Sequence, residues 1–174
     1  TMLSSLTILR EDLIAFLEMG GDVMPGIFMT TFVMWVLIAE RYAYLYFSHR
    51  TEADDLLAQW RGRAERDSWF ARQVRRQIVA VHRQKITSTL GIIKALVALC
   101  PMLGLLGTVT GMIEVFDVMA VAGSGNPRAM ASGVSQATVS TMAGMVAAIS
   151  GLVFSARLNR RSDKETRLFE DQLG

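Results

Sequence analysis

The chain has 174 residues, 51% of them hydrophobic, and a formal net charge of +2. That apolar share exceeds the roughly 45–50% typical of soluble domains, a range that already counts glycine, and it argues against an ordinary soluble domain. One cysteine, Cys100, excludes an intrachain disulfide and a thiolate metal cluster within one chain.

The apolar residues are clustered, and the clusters predict an all-α membrane protein with three transmembrane helices. Residues 1–22 lack the basic start and short apolar core of a cleaved signal, so the spans that follow are expected to stay in the chain. Leu6, Leu9, Leu13, Phe16 and Leu17 form one stripe ahead of Gly20 and Gly21. The stripe predicts an amphipathic helix that either lies on the outer membrane surface or packs against other subunits.

Residues 23–47 are the first predicted span. It is charge-free from Val23 to Ala39, is interrupted by Glu40 and Arg41, and closes on the aromatic run Tyr42, Tyr44, Tyr46 and Phe47, which suits an interfacial belt. A buried helix of a soluble core is the competing reading. Residues 48–91 read as a cytoplasmic helical region. Its arginines alternate with Glu52, Asp54, Asp55, Glu65 and Asp67, the pattern of a solvated helix face, so nucleic acid is not expected as a partner. Phe70, Val74, Ile78 and Val81 keep helical spacing, and no proline occurs between Pro25 and Pro101, so this helix is expected to continue into the second span.

Residues 92–122 are the second span, 123–129 a short turn built on Gly123, Ser124, Gly125, Asn126 and Pro127, and 130–156 the third span. The turn makes spans two and three an antiparallel pair. Residues 157–174 read as a helical tail that prolongs span three. Lys and Arg concentrate in the middle region and the tail, whereas the turn side holds only Arg128 and the N-terminal segment only Arg10. By the positive-inside rule the N-terminus and the turn face outward, and the middle region and C-terminus face the cytoplasm.

Span two carries Gly104, Gly107 and Gly111 at helical spacing. Span three carries Gly133, Ala137, Gly144 and Ala148 on its own small-residue face, with Thr141 and Gly151 in the same series. In lipid, helices associate through close packing of small residues, and two such faces on one hairpin imply a homo-oligomer or a second protein. Beside these faces lie Thr108 and Thr110 in span two and Ser135, Gln136, Thr138, Ser140 and Thr141 in span three. Taken singly, such hydroxyls bond back to the preceding turn; as a cluster they point to a polar pathway. No Asp, Glu, His or Lys lies in the middle of either span, Glu114 and Asp117 being near an end, so a titrating group on an ion path would have to come from a partner.

Enzymatic readings fail. Gly133 to Ala137 misses the last glycine of G-x-S-x-G and lies in an apolar helix, and no Walker sequence occurs. His49 and His82 stand apart from other ligand types, so neither a metal nor a cofactor is expected, and both are expected at the surface.

The run from Pro101 to Val109, followed by Gly133 to Ser150 and preceded by the Glu40–Arg41 pair, resembles the MotA/TolQ/ExbB proton-channel family, and its ExbB branch most closely. The resemblance implies an inner-membrane pentamer with a periplasmic N-terminus, surrounding an ExbD-like single-span partner that supplies a membrane aspartate. Such motors energise a TonB-like protein for outer-membrane transport; TolQ-like envelope motors and MotA-like stators are the neighbouring possibilities. In family terms Thr108 and Thr141 match threonines that face the partner's aspartate, with Gln136 and Thr138 along the same proton path. Many relatives carry glutamate where this chain has Gln136, and an amide cannot titrate.

Overall fold

The computed structural model describes residues 19–48, 68–122 and 127–173, with isolated positions between 7 and 17 and between 56 and 62. Its elements are α1 (Met24–Ala43), a π-helical segment (Tyr44–Ser48), α2 (Trp69–Thr87), α3 (Leu90–Ala122) and α4 (Pro127–Gln172). No strand occurs among the described residues, and three helical stretches are long and apolar enough to cross a membrane: Met24–Tyr46, Trp69–Val121 and Met130–Gln172. The protein is an all-α membrane protein.

Local chemistry sets the helix ends. Gly21 takes a positive φ of 68°, open to glycine at little cost, and the chain then turns so that the Met24 amide donates to the Gly21 carbonyl at 3.0 Å. Pro25 and Pro127 sit in the first turns of α1 and α4, where a missing N–H costs nothing. Ser68 caps α2: its backbone is extended, and its hydroxyl accepts from the Ala71 amide at 3.2 Å. Pro101 lies inside α3 without ending it. The predicted span three and tail form one helix, α4. The turn residues 123–126 lie outside the described residues, as do Leu6, Leu9 and Leu13 of the N-terminal stripe. Of that stripe, Phe16 and Leu17 are helical and half-buried, and Ile14, two residues before Phe16, is exposed.

The chain divides into two compact units, residues 1–34 with 96–151 and residues 35–95 with 152–174. In the second unit Trp60, Ala71, Phe169 and Leu173 form a small apolar core. His82, expected at the surface, is only 3% exposed there and stacks on Phe169 with ring centroids 3.9 Å apart. Its imidazole sits on the inner side of α2, one to three turns from Ala71, Val74 and Ile78, so helical phase outweighs its polarity. His49 lies outside the described residues.

The expected continuous helix into span two is interrupted at Ser88 and Thr89. Ser88 keeps right-handed helical backbone angles, and the Ile93 amide donates to the Thr89 carbonyl at 3.1 Å, so the chain re-enters a helix within one turn. Carbonyls at such a helix end need outside donors. Arg41, 4% exposed, supplies them: its Nε donates to the Ile86 carbonyl at 3.0 Å and its Nη2 to the Lys85 carbonyl. The same guanidinium lies over the Tyr44 ring, 4.8 Å from the centroid.

Candidate functional site

In the first unit α3 and α4 run antiparallel through the small residues singled out from the sequence. A Cβ on Gly104 would come within 3.1 Å of the Thr141 Cα, and one on Gly144 within 2.6 Å of the Cys100 carbonyl oxygen. A Cβ on Gly111 would lie 2.9 Å from the Gly133 carbonyl oxygen and 3.0 Å from the Ala137 Cβ, and one on Gly133 would overlap the Val115 side chain. Most of these neighbours are backbone or stubs of side chains, which cannot swing aside. The glycines therefore set how closely the helices approach. Ala137 is buried in this seam; Ala148 is half-buried, while its neighbour Ala147 is buried. Farther along α4, Gly151 accommodates the Met34 thioether of α1.

The polar residues divide by where their bonds go. Thr108 is half-buried and donates back to the Leu105 carbonyl at 2.6 Å, and Thr138 is exposed and donates to the Val134 carbonyl at 2.8 Å. Thr141 differs: its hydroxyl lies 3.1 Å from its own helix's Ala137 carbonyl and 3.1 Å from the Gly104 carbonyl of α3. One hydroxyl proton is thus shared between two helices. Gln136 also crosses the seam, donating from Nε2 to Glu114 Oε1 at 3.1 Å.

Ser140 belongs to the same polar run, outside the residues that the sequence singles out for the path. It is completely buried, its hydroxyl donates to the Gln136 and Ala137 carbonyls at 3.1 Å, and a Cβ on Gly107 would strike its Oγ at 2.1 Å. The i, i+3/i+4 stripe that selected Ala137, Thr141 and Gly144 passes beside Ser140, so spacing held the signal. The arrangement is a tightly packed polar seam with exchangeable hydroxyl protons and an apolar exterior that includes Leu105, Val109 and Val146. Among the described residues no group of His, Cys, Asp and Glu is placed to hold a metal ion.

The sequence profile of the MotA/TolQ/ExbB proton channel family matches residues 45–171. The biopolymer transport protein ExbB-like 1 of a Synechocystis species is 42% identical over 65 residues, covering 36% of this chain and 26% of that protein. The biopolymer transport protein exbB1 of Vibrio cholerae is 34% identical over 92 residues, covering 52% and 40%. An ExbB homolog of Methanothermobacter thermautotrophicus is 32% identical over 89 residues, covering 51% and 31%. The chain thus matches well under half the length of each of these relatives. No solved structure matches the chain.

Proposed function

Because the chain belongs to the MotA/TolQ/ExbB proton channel family, we propose that it is an ExbB-like stator subunit of an inner-membrane motor driven by the proton gradient. It forms a homo-oligomer, a pentamer in the family pattern, around an ExbD-like single-span partner, and energises a TonB-like protein for outer-membrane transport. The N-terminus is periplasmic and the C-terminus cytoplasmic, as the concentration of Lys and Arg in residues 48–91 and 157–174 supports.

The observation that carries this reading is Thr141, a hydroxyl held in a glycine seam and shared between two helices, at a depth where this chain places no acid among its described residues. Thr141 and Thr108 line the proton path, with Gln136 and Thr138 along it. Their hydroxyls donate to the partner's carboxylate when it is charged and accept from it when it is protonated. Each proton that crosses releases about 2.3 kcal/mol per 100 mV of membrane potential, enough to bias a step of relative rotation. The glycines hold the helix pair, and the exposed apolar faces of the spans are covered by lipid and by other subunits.

Thr141→Val keeps the shape and removes the hydroxyl. Co-reconstituted with the partner in vesicles, the variant complex should assemble but lose most proton uptake. Full uptake by an intact variant complex would instead take the Thr141 hydroxyl off the proton path. No uptake by the intact unaltered complex would favour a scaffold without ion conduction, the reading supported by the way Thr108 and Thr138 bond to their own helices.

A further inference from the structure

We infer that Glu114, held by the Gln136 amide, is a proton-relay residue at the outer mouth of the path, and that this role rests on the proton-channel reading above. With the ends of α3 and α4 at the membrane surface, Glu114 lies eight positions from Ala122 and Gln136 nine from Pro127, roughly 12–14 Å in at 1.5 Å per residue. The interfacial layer on each side is only about 5–7 Å thick. A carboxylate at that depth is costly and is a functional candidate whose partner can be named.

The partner is Gln136, at 3.1 Å across the seam. The choice of an amide matters chemically. An arginine or lysine would pin the carboxylate in its charged form. An amide donates from its NH2 to a carboxylate and, turned over, accepts through its oxygen from a carboxylic acid, so both protonation states are satisfied at one site. The Gly21 backbone comes close to this amide: a Cβ there would overlap Gln136 Nε2, so glycine leaves the room the amide occupies. The other charged side chains on these elements near the same end are Asp22, Asp117 and Arg128.

The relay conserves protons. Hydronium from the outer aqueous phase gives a proton to Glu114, forming a carboxylic O–H and leaving water. The acid then passes that proton to the membrane carboxylate of the partner, about two turns deeper near Thr108, and returns to its charged form. Glu114 thus supplies a stopping point that Gln136 itself cannot provide.

The test is proton uptake by vesicles holding the complete complex with its partner, read by a trapped pH-sensitive dye after an external acid pulse. Glu114→Gln, nearly isosteric, should lower uptake at least tenfold, Asp117→Asn should stay within twofold, and Glu114→Asp should fall between. Exchanging the two groups, Glu114→Gln with Gln136→Glu, should restore uptake to within threefold of the unaltered complex; a merely structural pair, whose hydrogen bond Glu114→Gln keeps as an amide–amide contact, predicts little loss in the single variant. Unchanged uptake in an assembled Glu114→Gln complex overturns the relay. If Thr141→Val still abolishes uptake there, the channel reading survives without it. Absence of uptake in the unaltered complex overturns both.

Discussion

Ser140 and the glycines facing it set the tolerance of the seam. A methyl at Gly104 meets the backbone of Thr141, and one at Gly144 meets the Cys100 carbonyl, so neither neighbour can move without shifting a helix. Gly104→Ala and Gly144→Ala are each expected to destabilise the helix pair by about 1–3 kcal/mol, the usual cost of overpacking, visible as a lower midpoint in thermal unfolding of the detergent-solubilised protein. Gly26, whose Cβ would meet open space, is the control: Gly26→Ala should leave the midpoint unchanged or raised. Ser140→Val should cost more than Thr138→Val, since Ser140 is wholly buried and Thr138 is exposed.

At the scale of elements, the join between α2 and α3 depends on a side chain more than forty residues earlier. Removing the guanidinium takes the buried donor from the Ile86 carbonyl, a loss of about 1–3 kcal/mol, while the Lys85 carbonyl keeps the Ser88 hydroxyl at 3.2 Å. Arg41→Ala should therefore speed amide hydrogen exchange around residues 87–93 while leaving the α3–α4 seam near Thr141 unaffected. Arg41→Lys should rescue it only in part, because one ammonium cannot reproduce the two-pronged geometry of the guanidinium. Equal exchange in all three proteins would show that Arg41 does not stabilise the join.

This element also shows where sequence stopped being informative. The apolar runs, the small-residue stripes and the merging of span three with the tail were legible because each is written in local spacing. The interruption at Ser88 and Thr89 carries no proline or glycine, and its stabilising cation lies on another helix. His82 was misread because a lone polar residue on an amphipathic helix gives no sign of which neighbour will cover it. Ser140 was visible in the polar run, yet its rank in the seam depends on the register of α3 against α4. The Glu114–Gln136 pair has the same origin: the two residues are far apart in sequence and meet only through that register.

At the scale of the whole molecule, most of the surface of each candidate span is left uncovered by the chain itself, with 22–28% of its most apolar window buried. Such faces require lipid or further subunits, in keeping with an oligomer. Orientation has its own test. In a Cys100→Ala background, a cysteine placed at Lys164 should react with a membrane-impermeant thiol reagent in inverted vesicles and stay protected in intact cells; the opposite pattern would reverse the topology read from the charges.

The central claim is that this chain forms the wall of a proton path whose deepest acid comes from another protein. It is tested most directly by comparing proton uptake in vesicles that hold the oligomer alone with uptake in vesicles that also hold its single-span, acid-bearing partner. The account predicts negligible uptake by the oligomer alone, and uptake with the partner that disappears when the partner's membrane aspartate is changed to asparagine. Equal uptake in the presence and absence of the partner would contradict it.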